Sequence, residues 1–333
     1  MISRTKKVEK GLSAFFRYAT MRHQCYLMKF ADPLWLTRDP ILAEYSFCNV
    51  FRELDKTTMW YAEHVRRPLD RAKEPEKLLL ATVLYRLFNR IETAEAFFRD
   101  DNLLGDSSAF DEYWRTGKTA PLKKAAVARI GKKGPFVTGS YIIAGPPGMS
   151  KLDGMLRVVD NFRRGKAEWP GKTGEHGIDS AVKLMRMRGS GLHDAHSWLR
   201  EFDYMGTFHA YEIVTDLRHT HLLSRSPDIN TWANPGPGCK RGLNRVFGRD
   251  KDEPWGGVEA ILEHMDVVLE AAGDYWTDFA HRSRDDYPKL KTPLEWEMRD
   301  VEHTLCEFDK YERTRAGEGR PRGKYRGHEE HRR

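Results

Sequence analysis

From Trp198 to Asn244 the chain reads WLREFDYMGTFHAYEIVTDLRHTHLLSRSPDINTWANPGPGCKRGLN. An amphipathic helix leads to a tight turn at Gly206, and a second helix carries Ala210, Val214 and Leu217 on one stripe. Asp228 then follows in a loop rich in proline and glycine. The same helical period governs most of the remaining sequence. Leu80, Leu84, Leu87, Phe88 and Ile91 form one apolar stripe, and Val258, Ile261, Leu262, Met265, Val268, Leu269 and Ala272 form another. In the last long helix Leu294, Met298, Val301, Leu305 and Phe308 recur at spacings of four and three, which puts Glu302, Asp309 and Lys310 off the stripe. The expected fold is therefore mainly α.

The segment most suited to non-helical structure is Gly134 to Gly148, where Phe136, Val137, Tyr141, Ile142 and Ile143 sit between glycines. A lobe boundary is expected between Arg164 and Gly177, where WPGKTGEHG breaks the periodicity. This divides the chain into a helical lobe over 1–165, a second lobe containing the hairpin over 166–326, and a basic tail over 327–333.

Hydrophobic residues at 40% support a sizeable core, and charged residues at 32% mark a soluble chain. No run approaches the roughly 18 apolar residues of a membrane span, and the charged start lacks the apolar centre of a signal peptide, so no membrane partner and a cytoplasmic location are expected. Cys25, Cys48, Cys239 and Cys306 are scattered with no C-x-x-C pair, which argues against zinc ribbons, disulfide frameworks and iron–sulfur clusters. His193 with His196, or His219 with His221, have ligand spacing, but isolated pairs of this kind are usually structural. No metal and no cofactor are expected. The formal charge of +7 is modest; from Arg313 onward the basic residues crowd together, which suits a polyanion.

GPPGMSK, from Gly145 to Lys151, is similar to a phosphate-binding loop. A working loop needs glycine before its lysine and serine or threonine after it, and here Ser150 and Leu152 hold those positions. Lys151 remains a candidate contact for an anion. Asn49, Arg52 and Asp55 follow at spacings of three, which on a helix would present an amide, a guanidinium and a carboxylate to one cleft; Arg90 is a further candidate cation. Glu302, His303, Glu307 and Asp309 crowd one helix, and a carboxylate at i+4 would raise the His303 pKa to suit acid–base work. Lys240 and Arg241 follow a GPG turn containing Gly238 and suit a phosphate.

The Trp198–Asn244 stretch resembles the helix-hairpin-helix DNA glycosylase superfamily, whose hairpins follow a pattern close to L-P-G-V-G-x-K-x-A. Gly206 fits the second glycine and Ala210 the alanine. Tyr204 stands where the first glycine belongs, and Phe208 where the lyase lysine belongs, so no Schiff base can form at that position. Asp228 lies beyond Phe208 at a separation similar to that of the catalytic aspartate. DPLWLTRDPILAEYSFCNVFRELDKTTMWY and DVEHTLCEFDKYERTRAGEGRPR, taken with TWANPGPGCKRGLN, resemble the phage enzymes that hypermodify thymine, the α-glutamyl/putrescinyl thymine pyrophosphorylases or amino acid:DNA transferases. That group is related to the helical domain of 5-hydroxymethyluracil DNA kinases.

The resemblance implies a glycosylase-like fold of two helical lobes and a transferase acting on DNA with modified thymine. The pyrophosphate of 5-pyrophosphoryloxymethyluracil would be replaced by the nitrogen of a free amino acid or polyamine. Asp228 would activate the amine and Trp232 would stack on the extruded base, with Gly206 at the DNA backbone. Arg52, Lys151 and Arg241 would stabilise the leaving group. Tyr211, Glu302 and His303 are further catalytic candidates, and Asn49, Asp55, Arg90, Gly238 and Lys240 are further substrate or DNA contacts. The alternatives are a monofunctional glycosylase acting on a modified base and a non-catalytic DNA-binding module.

Overall fold

The computed structural model of the protein describes residues 2–31, 37–99, 107–138, 145–165, 177–187, 189–286 and 295–325. Among these residues there is no strand; an isolated antiparallel bridge joins Tyr45 to Lys324. The chain opens with α1 (Lys6–Ala31) and α2 (Pro40–Glu44). It continues through α3 (Lys56–Tyr61), α4 (Arg67–Ala72), α5 (Pro75–Phe88), α6 (Ile91–Phe98), α7 (Ala109–Thr116) and α8 (Ala120–Ile130). Then come α9 (Lys151–Arg164), α10 (Ile178–Arg186), α11 (Leu192–Leu199) and α12 (Thr207–Leu217), and last α13 (Pro237–Val246), α14 (Val258–Asp286) and α15 (Met298–Arg315). The mainly α architecture expected from the periodicity is the one observed.

The helices gather into two compact units. The first joins both ends of the chain, Met1–Asp55 with Ile229–Arg333, and the second is the continuous stretch Lys56–Asp228. This grouping differs from a division at 165/166. The periodicity break that suggested such a boundary lies inside the second unit, and most of it falls outside the described residues, as do Tyr141 to Ile143, Leu294 and the tail from Gly327. The described parts of Gly134 to Gly148 contain no strand.

In the first unit α13 packs between α1 and α15 at very short range, and glycines make this possible. A Cβ on Gly11 would lie 1.9 Å from the Val246 carbonyl oxygen, and one on Gly242 would lie 2.1 Å from the Leu305 carbonyl oxygen. Gly238, one turn before Gly242, would place a Cβ 2.4 Å from Cys306 Sγ. Glycine inside a helix costs roughly 0.5–1 kcal/mol relative to alanine, and the close approach of two helices offsets it. Gly238 is thus a packing residue of α13. Beside this crossing Phe16, Phe51, Trp276 and Trp296 form an aromatic cluster, with Phe16 to Trp296 at 5.5 Å and Trp276 to Trp296 at 5.4 Å. Met298, Val301, Leu305 and Phe308 are buried as their spacing requires. Val258 instead sits exposed at the first residue of α14, and Val267 is buried further along.

The second unit is built around α5, whose Leu80, Leu84, Leu87 and Phe88 are buried. Its stripe does not continue to Ile91: Asn89 adopts φ +46° and closes the helix, so Ile91 begins α6. Between α3 and α4 residues Ala62–Arg66 form a π turn. Pro68 follows, and its ring nitrogen cannot donate to the carbonyl four residues back, which loosens the helical ladder there. α12 buries Ala210, Val214 and Leu217 completely. Its polar side carries Asp216, also buried, whose two oxygens accept from Arg86 Nε at 2.6 Å and Nη2 at 2.8 Å. Arg86 Nη1 reaches Glu212 Oε2 at 3.1 Å and Asn89 Oδ1 at 3.2 Å, and Arg66 Nη1 donates to the Asp216 carbonyl at 3.3 Å. Two arginines and two carboxylates balance, which is what allows four charges to be buried together.

Candidate active site in the first unit

The segment from Phe47 to Asp55 folds as a turn closed by a 3-10 helix over Arg52–Leu54. The regular helix expected for Asn49, Arg52 and Asp55 is absent because side chains take over its backbone hydrogen bonds. Asp55 Oδ1 accepts from the Asn49 backbone N–H at 2.9 Å and from Asn49 Nδ2 at 2.9 Å, while Nδ2 also donates to the Leu54 carbonyl at 2.7 Å. Arg22 of α1 anchors the turn from beneath: its Nη2 donates to Asn49 Oδ1 at 2.7 Å and to the Phe47 carbonyl at 2.9 Å.

The other wall is α15. His303 Nδ1 lies 3.4 Å from Arg52 Nη1, and Asp55 Oδ2 lies 3.3 Å from Arg52 Nε, so the guanidinium is bracketed by an imidazole and a carboxylate. Glu307 Oε2 accepts from the Cys48 N–H at 2.9 Å and pairs with Lys310 Nζ at 2.6 Å. Glu302 Oε1 accepts from the Gly236 N–H at 3.2 Å, at the start of α13. Two stretches singled out in the sequence, Asn49 to Asp55 and the α15 run that carries His303 and Glu307, therefore converge, with Arg52 and His303 251 positions apart in the chain. Glu302 on the same helix turns to α13 instead.

Electrostatics corrects one expectation. Glu307 does not raise His303: burial pushes the imidazole well below its ordinary pKa, and Arg52, Lys310 and Arg299 push it the same way. His303 is consequently neutral at pH 7, a hydrogen-bonding group beside Arg52 and not a cation. Burial raises the Asp55 carboxyl, against the pull of Arg52 and the Asn49 N–H. It also raises the Cys48 thiol, which is flanked by Glu307 and Asp55. Cys48, Asp55 and His303 hold ligand-type atoms within 4.8 Å of one another. They have the chemistry of a metal set, but Arg52 already brings a positive charge against two of the three.

Asp309 is not on an open face but fully buried, and Arg241 Nε and Arg245 Nε donate to it at 2.9 and 3.0 Å. Asp300 is buried too; its Oδ2 accepts the Glu297 N–H at 2.9 Å and caps α15. Burial pushes its carboxyl up to about 7, with Arg299 opposing and Glu53 and Glu297 adding to the rise. An unfolded aspartate ionises near 3.9, so between about pH 4 and 7 the folded chain holds a proton that the unfolded chain has lost. The group's contribution to stability therefore falls as pH rises through that window. Asp300→Asn keeps an oxygen for the cap and cannot ionise. Denaturant melts from pH 4 to 8 should show the variant gaining on the parent chain by on the order of a few kcal/mol; a difference constant with pH would refute the assignment.

The remaining candidates lie in the second unit or pack elsewhere in the first. Asp228 serves α11, where its Oδ1 accepts from the Leu192 N–H at 2.7 Å and its Oδ2 from the His193 N–H at 2.9 Å. Gly191, at the N-cap, has no side chain to do this, and a Cβ there would stand 2.5 Å from Asp228 Oδ2. Asp228→Asn turns one acceptor into a donor facing an N–H, and should cost about 1–2 kcal/mol of stability while turnover stays within a few-fold. Thermal melting and single-turnover kinetics on one preparation check this, and a stable variant with turnover down 100-fold would return Asp228 to the chemistry.

Gly206 is the N-cap of α12, and Tyr204 before it adopts φ +59°. The backbone thus takes a left-handed turn of the kind that glycine favours, at the position where the hairpin pattern has glycine. Tyr211 is buried, its ring 6.4 Å from that of His196. Lys151 opens α9 after Ser150, whose Oγ accepts from the Asp153 N–H at 3.1 Å. Asp153, paired with Lys123 at 2.7 Å, puts a carboxylate where a phosphate-binding loop would hold its phosphate. Arg90 pairs with Glu92 at 3.1 Å. Trp232 is buried in the first unit, and the Lys240 carbonyl accepts from Trp255 Nε1 at 3.4 Å. A cavity of about 360 Å³ in the second unit is lined by Trp114, Arg163, Arg164, Ile178 and Ser180, among others, and none of the sequence candidates borders it.

A mainly helical fold that packs an Asn–Arg–Asp turn against a histidine-bearing helix is the class defined by this geometry. Residues 9–320 match the family described as "5-hmdU DNA kinase, helical domain", and the chain belongs to that family. It is similar to a curated 5-hmdU DNA kinase of Bacillus phage SP10, with 27% identity over 292 residues, covering 83% of this chain and 40% of the relative. The chain thus spans well under half the length of that protein. No solved structure matches it.

Proposed function

We propose that the chain acts on a modified thymine in DNA, and that its reaction is transfer at the exocyclic methylene. Membership of the helical-domain family supports the substrate class, since the relative's name ties it to 5-hmdU in DNA. The observation that carries the chemistry is Arg52 held between Asp55 and His303. An arginine steadied from two sides and still 22% exposed suits the oxygens of a departing pyrophosphate.

In this reading the neutral nitrogen of an amino acid or polyamine attacks the methylene carbon of 5-pyrophosphoryloxymethyluracil. The carbon–oxygen bond breaks and its electron pair leaves with pyrophosphate. The proton of the new ammonium passes to Asp55, whose burial-raised pKa makes it a better base than an exposed aspartate. His303 stays neutral and keeps Arg52 in place. Trp232 remains the candidate for contact with the extruded base. Asp228 moves out of the chemistry because both its oxygens cap α11. Phosphoryl transfer from a nucleotide at GPPGMSK is disfavoured by the Asp153 carboxylate over the α9 N-terminus.

Incubating the protein with 5-pyrophosphoryloxymethyluracil DNA and a mixture of amines, followed by nucleoside mass spectrometry, tests this reading. The expected product is an amine-substituted thymidine with release of pyrophosphate. An abasic site instead would favour the glycosylase alternative.

A further inference from the structure

α13 and α15 bring three guanidinium groups to a single carboxylate. Asp309 is fully buried, with Oδ2 accepting from Arg241 Nε and Oδ1 from Arg245 Nε. Arg313 Nε stands 3.4 Å from Oδ2, and this buried nitrogen makes no hydrogen bond. Arg245 Nη2 also reaches Glu318 at 2.6 Å, and Lys251 Nζ reaches the same carboxylate at 3.1 Å. Around Asp309 four cations, Arg241, Arg245, Arg313 and Lys251, thus face two carboxylates, Asp309 and Glu318, an excess of two positive charges. One carboxylate does not need three arginines for its own burial, and the surplus cations repel one another.

The surplus lies toward solvent, since the side chains of Arg241 and Arg313 are 30% and 37% exposed. Asp309 itself is inaccessible, and its helices are locked by the Gly238 and Gly242 contacts. The buried acid therefore holds the inner edge of the guanidiniums and leaves planar N–H donors at the surface, ordered before any ligand arrives. We propose that Arg241 and Arg313, organised by Asp309 with Arg245, form a binding site for a backbone phosphate of DNA. The proposal rests on the reading that DNA is the substrate, and it assigns to this cluster the grip on the strand, not the chemistry at the base.

The test uses the full chain and unmodified duplex DNA, followed by fluorescence anisotropy at several salt concentrations, so it does not depend on turnover. Each phosphate contact contributes about 0.9 to the log–log salt slope. Arg241→Gln and Arg313→Gln should each weaken binding several-fold at low salt and reduce the slope by about 1. Arg313→Gln, whose Nε makes no hydrogen bond to Asp309, should melt as the parent does, whereas Arg241→Gln removes a partner of a buried carboxylate and is read at a temperature where its melting curve shows it folded. Asp309→Asn gives a sharper arm: nonspecific charge attraction would tighten binding when a negative charge is removed, whereas a site organised by Asp309 should weaken. Should Asp309→Asn fail to fold, the two arginine variants still decide. Unchanged affinity and slope in both, or weakening only in proportion to lost folding, would overturn the site. Intact DNA affinity in these variants with loss of competition by inorganic pyrophosphate would overturn it in favour of a leaving-group pocket. A parent chain that binds no duplex at any salt would defeat the DNA reading itself, a result distinct from binding that the variants leave untouched.

Discussion

Arg52→Gln is expected to lower turnover on 5-pyrophosphoryloxymethyluracil DNA by about 100-fold or more, the usual cost of removing one preorganised donor from a developing charge. The side chain is partly exposed and its contacts to Asp55 and His303 are 3.3 and 3.4 Å long, so the same substitution should cost at most about 1 kcal/mol of stability. Arg52→Lys should recover only part of the rate, because an ammonium supplies the charge without the planar fork. Single-turnover kinetics with melting curves separate the outcomes. A glutamine variant that melts as the parent and keeps its rate would remove Arg52 from the leaving-group site.

The largest expected effect on stability belongs to Asp216→Asn in the second unit. Asp216 is 2% exposed and neutralises Arg86 through two short hydrogen bonds, with Arg66 also alongside. Asparagine has the same volume but removes one of the two carboxylate charges that balance the two buried guanidiniums, and breaking a buried pair of this kind typically costs about 3–5 kcal/mol. Urea melts of the variant should show the loss directly. Replacing Arg86 and Asp216 together by apolar residues should cost less than Asp216→Asn alone, because no charge is then left uncompensated; a double variant less stable than the single would contradict the network as described.

Much of the helical architecture was legible because it is a local property. Ala210, Val214 and Leu217, and Met298, Val301, Leu305 and Phe308, bury where a period of 3.6 puts them. Asn89 was harder to read: one residue in a left-handed conformation ends α5 inside what looks like a continuous stripe. The polar groups depend on partners distant in sequence, and spacing carries no trace of those. Asp309 looks exposed along α15 until α13 delivers Arg241 and Arg245 to it. A carboxylate at i+4 would raise His303, yet burial and Arg52, from the other end of the chain, lower it. Asn49, Arg52 and Asp55 do lie together, but through a side-chain-bonded turn and not on the helix face that their spacing of three suggested. A sequence signal for one overlooked feature did exist: glycines at 238 and 242, one turn apart within a helix, mark a close helix crossing.

The most direct measurement is nucleoside mass spectrometry of 5-pyrophosphoryloxymethyluracil DNA after incubation with the protein and amines, run beside the Arg52→Gln variant. A thymidine bearing the amine at its methylene carbon, formed with one equivalent of pyrophosphate and sharply reduced in the variant, is the expected result. Unaltered nucleoside from the parent chain with every amine, or equal product from both proteins, would contradict transfer at the Arg52–Asp55–His303 site.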